Sequence, residues 1–128
     1  MIGKTISHYK ILVKIGEGGM GEVYLAEDLK LERKVAIKFL PQYMIRDKEN
    51  VERLEREAKA IAALNHPNIV TIYEIAEENT QTFIVMEYID GTPITEYCNE
   101  NNLSVVQRLK LFTTVCQAVQ YAHQNLVI

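Results

Sequence analysis

Tyr9 to Ile15 alternates apolar and polar, with Ile11, Val13 and Ile15 on one side and Lys10, Leu12 and Lys14 on the other. Period two predicts a strand. Glu22 to Glu27 alternates again, Val23 and Leu25 against Tyr24 and Ala26, so two strands flank a turn and form an antiparallel hairpin. Lys34 to Leu40 reads as a third strand closed by Pro41. Residues 42–50 are polar and irregular, with Asp47 or Asn50 as a helix cap. From Val51 the period changes: Val51, Leu54, Ala58, Ile61 and Leu64 form one helical face, and Asn65-His66-Pro67-Asn68 ends it. Strands follow at Ile69–Ile75 and Thr82–Tyr88, with a turn over Glu77–Thr80.

Asp90-Gly91-Thr92-Pro93 breaks the strand pattern, and the chain turns helical beyond it. Ile94–Asn99 predicts a short helix. Ser104 caps a long one, and Gln107 completes a capping box. Leu109, Phe112, Val115 or Cys116, and Val119 make its apolar stripe, and Leu126-Val127-Ile128 looks like the start of another strand. The expected fold is α+β: a five-stranded antiparallel sheet with one helix in residues 1–89, and helices in 90–128. The long helix has little to cover its stripe, which predicts an exposed apolar patch and self-association through that helix.

Composition narrows the class. The chain has 128 residues, 48% hydrophobic and 24% charged, with a net charge of −3. There is no basic excess for nucleic acid. No run approaches the length of a membrane span, and Cys98 and Cys116 lack metal-ligand spacing, so the expected setting is cytoplasmic with reduced thiols.

The chemistry begins at the first turn, Ile15-Gly16-Glu17-Gly18-Gly19-Met20-Gly21-Glu22-Val23, which holds four of the chain's 6 glycines. Bare backbone can approach an anion closely, and such loops hold phosphates. The dinucleotide version of Gly-x-Gly-x-x-Gly needs a helix after it, and the β pattern after Gly21 excludes that reading. Lys38 lies in the apolar strand Val35-Ala36-Ile37-Lys38. It either faces solvent, sharing parity with Lys34, or is buried and needs a partner. Glu57 borders the helix's apolar face and either pairs with Arg53 or Arg56 at the surface or turns inward to Lys38. His66 sits before a proline in a helix-ending loop, which favours packing over catalysis. His8 and His123 show no constellation, and Cys116 reads as core.

Five motifs in order resemble the eukaryotic-type protein kinase domain: the glycine hairpin, Val35-Ala36-Ile37-Lys38, Arg56-Glu57-Ala58, His66-Pro67-Asn68-Ile69-Val70, and Val85-Met86-Glu87-Tyr88. The wording Gly-Met-Gly-Glu-Val-Tyr-Leu-Ala-Glu-Asp is most similar to the bacterial serine/threonine kinases. The resemblance implies ATP as cofactor with Mg²⁺, a protein substrate, and a first lobe ending near Ile89. It implies that the hairpin from Ile15 to Val23 covers the phosphates, that Lys38 holds them, and that Glu57 orients Lys38. Val23 and Ala36 would sandwich adenine, Met86 would stand behind it, and the backbones of Glu87 and Ile89 would read its edge. Ile61 and Ile72 would belong to an internal apolar spine. The family's His-Arg-Asp and Asp-Phe-Gly motifs, which carry the catalytic aspartate and metal ligands, have no match in these residues. The expectation is therefore a nucleotide-binding part, with no metal ligands of its own, that does not catalyse alone. Two other readings stay open: a non-catalytic, pseudokinase-like binding module, and a small-molecule kinase of the aminoglycoside type, which His66-Pro67-Asn68 disfavours.

Overall fold

The computed structural model describes residues 1–18, 21–125 and 127. Gly19, Met20, Leu126 and Ile128 fall outside them. So do the tip of the glycine hairpin and most of the strand expected from Leu126 to Ile128.

Six antiparallel strands form one sheet: β1 (Thr5–Ile6), β2 (Tyr9–Gly18), β3 (Gly21–Asp28), β4 (Arg33–Phe39), β5 (Ile72–Glu78) and β6 (Gln81–Glu87), in the spatial order β1-β2-β3-β4-β6-β5. All five expected strands are present. β1 is an addition that pairs Thr5 with Lys10 and Ile6 with Tyr9. Two residues are too few to carry a period, so no pattern marks this strand. The sheet closes around one face, where Tyr9, Ile11, Ala26, Val35, Ile37, Phe83 and Val85 form the core. Phe39 packs edge-on against Tyr24 and at a tilt against Phe83, both with ring centroids 5.7 Å apart.

The alternation expected for β2 breaks inside the strand. Ile11 pairs with Ala26, but Val13 pairs with Leu25, so a bulge at Leu12 reverses the parity. Ile11 is fully buried, whereas Val13 is 44% and Ile15 46% exposed. A second bulge at Ile15 lets Gly16 face Val23. β5 starts at Ile72 rather than Ile69 and runs to Glu78. Asn79 and Thr80, both at positive φ, form the two-residue turn to Gln81. A two-residue hairpin turn requires that conformation. Without a glycine, the turn was legible only as a polar stretch.

The segment after Pro41, expected to be irregular, holds a short helix, α1 (Gln42–Ile45). The main helix of this half, α2 (Lys48–Ala62), begins three residues before the periodic stripe. Its Asp47 cap accepts from the Glu49 N–H at 3.0 Å. α2 packs along β5 and α1. Beyond the Asp90–Pro93 break come α3 (Ile94–Glu100) and α4 (Val105–Gln124). The capping box of α4 is complete: Ser104 Oγ accepts from Gln107 N–H, and Gln107 Oε1 accepts from Ser104 N–H at 2.8 Å. Arg108 ties the two helices together by donating to the carbonyls of Leu103 and Cys98.

The stripe of α4 is open to solvent as expected, with Leu109 and Phe112 each 60% exposed. Cys116 is a correction: it is exposed, because the stripe that was to bury it faces outward. No helix among the described residues is long and apolar enough to cross a membrane.

Candidate functional site

The sheet register decides what shares a face. Val23 pairs with Lys38 and Lys38 with Ile84. Leu25 pairs with Ala36, Ala36 with Met86, and Met86 with Ile72. Cross-strand partners project on the same side. Val23, Ala36, Lys38, Met86 and Ile72 therefore line one face, opposite the core residues Val35, Ile37 and Phe39. Residues from strands distant in sequence meet there because the antiparallel ladder runs unbroken from β3 through β4 to β6.

Lys38 resolves its two readings in part. It does not share the core face, yet it is only half-exposed. Among the described residues, it has neither an ion pair nor a side-chain hydrogen bond. The expected inward pair with Glu57 is not made: no ion pair within 4.0 Å joins them, and Glu57 is exposed on α2. The cause is where the helix lies. α2 rests on β5, and its side chains at Val51, Leu54, Ala58 and Ile61 take the buried side, leaving Glu57 outside. Glu57 makes no pair with Arg53 or Arg56 either. Arg53 instead donates to Asn50 at 3.3 Å.

Above Lys38 stands the glycine hairpin. Gly18 pairs with Gly21 at the last described rung, and Gly16 faces Val23. A side chain at Gly18 would meet nothing within 4 Å, and one at Gly16 would meet only Val23. Gly21 differs. Its φ is +117°, and a Cβ there would lie 2.1 Å from the carbonyl oxygen of Phe39. The β3 arm is thus pressed onto β4 one residue past Lys38 at the turn end of the hairpin, and only glycine allows it.

The hairpin's other face carries charge. Glu17 and Glu22 are direct cross-strand partners. Lys14 Nζ lies 2.9 Å from Glu17 Oε2 and 3.3 Å from Glu22 Oε1, and the Tyr24 hydroxyl donates to Glu22 Oε2 at 2.7 Å. The Tyr24 hydroxyl and then Lys14 hold the Glu22 carboxyl below its ordinary value. The Glu17 contact leads in raising the Lys14 ammonium. The hydrogen bond to Glu22, then burial, raises Tyr24. Sequence reasoning missed Lys14 and Tyr24. The available signal was a lysine three residues before Glu17, with a second glutamate, Glu22, across the glycine run.

At the end of β6, Glu87 is committed to the chain behind it. Its N–H donates to the Thr71 carbonyl at 2.8 Å, and its carboxylate accepts from the Thr71 N–H at 3.1 Å. Ile89 is exposed. His66 is structural, as expected: its Nδ1 accepts from the Asn68 N–H at 3.0 Å and its ring lies 5.1 Å from that of Tyr121. Tyr121 Oη in turn accepts from the Asn65 N–H at 3.1 Å, strapping the end of α2 to α4. His8, expected to be isolated, is not: its Nε2 lies 3.7 Å from the buried carboxylate of Asp28.

The features fit a nucleotide: bare backbone at Gly18 with open space around it, an apolar face formed by Val23, Ala36 and Met86, and a half-buried cation without a partner among the described residues. No group of three His, Cys, Asp or Glu side chains that could hold a metal ion occurs among the described residues.

The protein kinase domain family matches residues 9–128. The chain is 45% identical over 130 residues to the serine/threonine-protein kinase PrkC of Bacillus subtilis, covering all of this chain and 20% of that protein. It is 39% identical over 133 residues to PknB of Mycobacterium tuberculosis, covering 97% of this chain and 21% of the relative. The chain thus spans about a fifth of the length of these curated relatives. A solved structure of the Mycobacterium tuberculosis PknI kinase domain superposes with a TM-score of 0.80 at 33% identity, over 97% of this chain and 51% of that one.

Proposed function

Because the chain belongs to the protein kinase domain family, we propose that it forms the ATP-binding part of a serine/threonine protein kinase. The observation that carries this reading is Lys38: half-buried, unpaired among the described residues, and on the same face as Val23, Ala36 and Met86 beneath the glycine hairpin. A lysine so placed gains most from an anionic ligand. The relatives PrkC and PknB bear serine/threonine kinase names, which supports protein hydroxyls as the acceptors of the whole protein.

In this reading the residues divide the work. The backbone from Ile15 to Val23, including Glu17, Gly19, Met20 and Glu22, roofs the phosphates, and its glycines let the N–H groups approach them. Lys38 offsets their charge. Val23 and Ala36 clamp the adenine plane, with Met86 behind it. The Glu87 carbonyl and the Ile89 N–H read the adenine edge. ATP supplies the transferable phosphoryl group. Residues 1–89 act as one lobe and 90–128 begin the next. These 128 residues do not transfer phosphate alone, a view supported by the absence of any His-Arg-Asp or Asp-Phe-Gly in them. A cytoplasmic setting, supported by the free thiols of Cys98 and Cys116, belongs to the same proposal.

One observation favours a second reading. Glu57 stands away from Lys38, and a module that binds nucleotide or protein without catalysing does not need that pair. Magnesium–ATP titrated by calorimetry tests the first reading: binding is expected to be weak, above the micromolar range that corresponds to about −8 kcal/mol. Lys38→Met should weaken it more than Lys34→Met. Equal effects would assign the phosphate role to the wrong lysine.

A further inference from the structure

We propose that Lys14 is a positioning residue for the glycine-rich hairpin: by neutralising the facing carboxylates of Glu17 and Glu22, it sets how far the hairpin mouth closes over Lys38. The proposal rests on the nucleotide-site reading for its functional meaning, but not for its test.

Like charges directly opposite across two strands repel, and Glu17 and Glu22 occupy such a position. They sit on the rung next to Gly18 and Gly21, at the mouth of the hairpin. Lys14 lies between them, with its ammonium within 3.3 Å of both carboxylates. It reaches Glu17 across the Ile15 bulge on its own strand and Glu22 on the facing strand. One cation thus bridges the bulge and both arms of the hairpin.

The cluster has a fixed end. The Tyr24 hydroxyl donates to Glu22, while its ring packs edge-on against Phe39 in the core. Gly21 presses on the Phe39 carbonyl. The β3 arm of the hairpin is therefore held against β4 as far as Gly21, and the freedom lies in the β2 arm at Glu17 and Gly18. Glu17 and Glu22 have the opposite parity to Val23 and Lys38, so both carboxylates lie on the far side of the hairpin from the phosphate face. An isolated surface ion pair contributes little to global stability. A shared cation between two repelling groups acts instead on a local opening, which needs far less energy than unfolding.

Hydrogen exchange of the Gly16, Gly18 and Val23 amides in the full chain tests this without nucleotide. Lys14→Met should speed their exchange about fivefold while the core strands and the melting temperature stay unchanged. Adding Glu17→Gln to Lys14→Met should bring the rates back to within about twofold, because it removes the repulsion rather than restoring a bond. Lys14→Arg should leave them as in the unaltered chain. Salt near 1 M, where screening acts within about 3 Å, weakens the repulsion as well as the attraction and should narrow the difference between Lys14→Met and the unaltered chain. Unchanged rates in Lys14→Met, a rise spread over the whole sheet, or no return with Glu17→Gln would overturn the proposal. Release of a fluorescent magnesium–ATP analogue should be faster from Lys14→Met. If the unaltered chain bound no analogue, the nucleotide reading would fall and the exchange measurements would still decide the role of Lys14.

Discussion

Ile11 and Val13 stand on opposite faces of the sheet although only Leu12 separates them. The bulge at Leu12 gives Ile11 to the core and Val13 to the face of Ala36 and Lys38. The two should respond differently to truncation. Ile11→Ala should destabilise by about 2–5 kcal/mol, as large-to-small changes in a closed core do. Val13→Ala, at a partly exposed site, should cost under about 1 kcal/mol. Urea unfolding of the two variants measures the contrast, and equal losses would place both side chains in the core.

Gly21→Ala should be more harmful than Gly16→Ala or Gly18→Ala. It forces an L side chain to a φ of +117° and drives a methyl group into the Phe39 carbonyl. Backbone strain of this kind costs about 1–3 kcal/mol before the clash is counted. Gly18→Ala meets open space and should leave the melting temperature within about a degree, the shift of a few tenths of a kcal/mol. Thermal unfolding of both separates steric need from functional need at the two positions.

Asp28 links pH to stability. Burial raises its carboxyl, but hydrogen bonds from the Leu31 and Lys30 N–H groups, with the charges of His8 and Arg33, outweigh that and hold it below the ordinary value. A depressed carboxyl stabilises the fold above its unfolded pKa, and that contribution is lost as pH falls through the folded one. Unfolding free energy should therefore drop on acidification below about pH 4, the ordinary aspartate range. Asp28→Ala should flatten that acid limb and cost about 1–3 kcal/mol at neutral pH, because it strands two N–H donors. An unchanged acid limb would assign the pH dependence to other carboxylates.

The exposed stripe of α4 should drive association. Sedimentation of the chain at rising concentration should show species larger than a monomer, and Leu109→Lys with Phe112→Lys should shift it to a monomer. A monomer at every concentration before substitution would remove the driving force assigned to this face.

Much of the fold was legible because its long elements are periodic: the stripe of α2, the Ser104 capping box and the hairpin strands all appear in the chain order alone. What escaped was local. β1 is too short to carry a period, α1 follows Pro41 in a polar stretch, and a bulge such as that at Leu12 leaves no mark on an alternating pattern. The candidate site divides along the same line. Val23, Ala36, Lys38 and Met86 converge because strand parity fixes their face, and parity can be read from sequence. Glu57 depends on how α2 sits against the sheet, a tertiary choice that amphipathicity does not specify, since sliding or tilting the helix keeps the same stripe buried.

The contact of Tyr121 with Asn65 has a further consequence. Glu87 and Thr71 are joined within the sheet half, whereas Tyr121 lies on α4 and holds the amide of Asn65 at the end of α2. Segments 56 residues apart in the chain are thereby coupled through one hydrogen bond, so a disturbance at the end of α2 reaches α4 without passing through the residues between them.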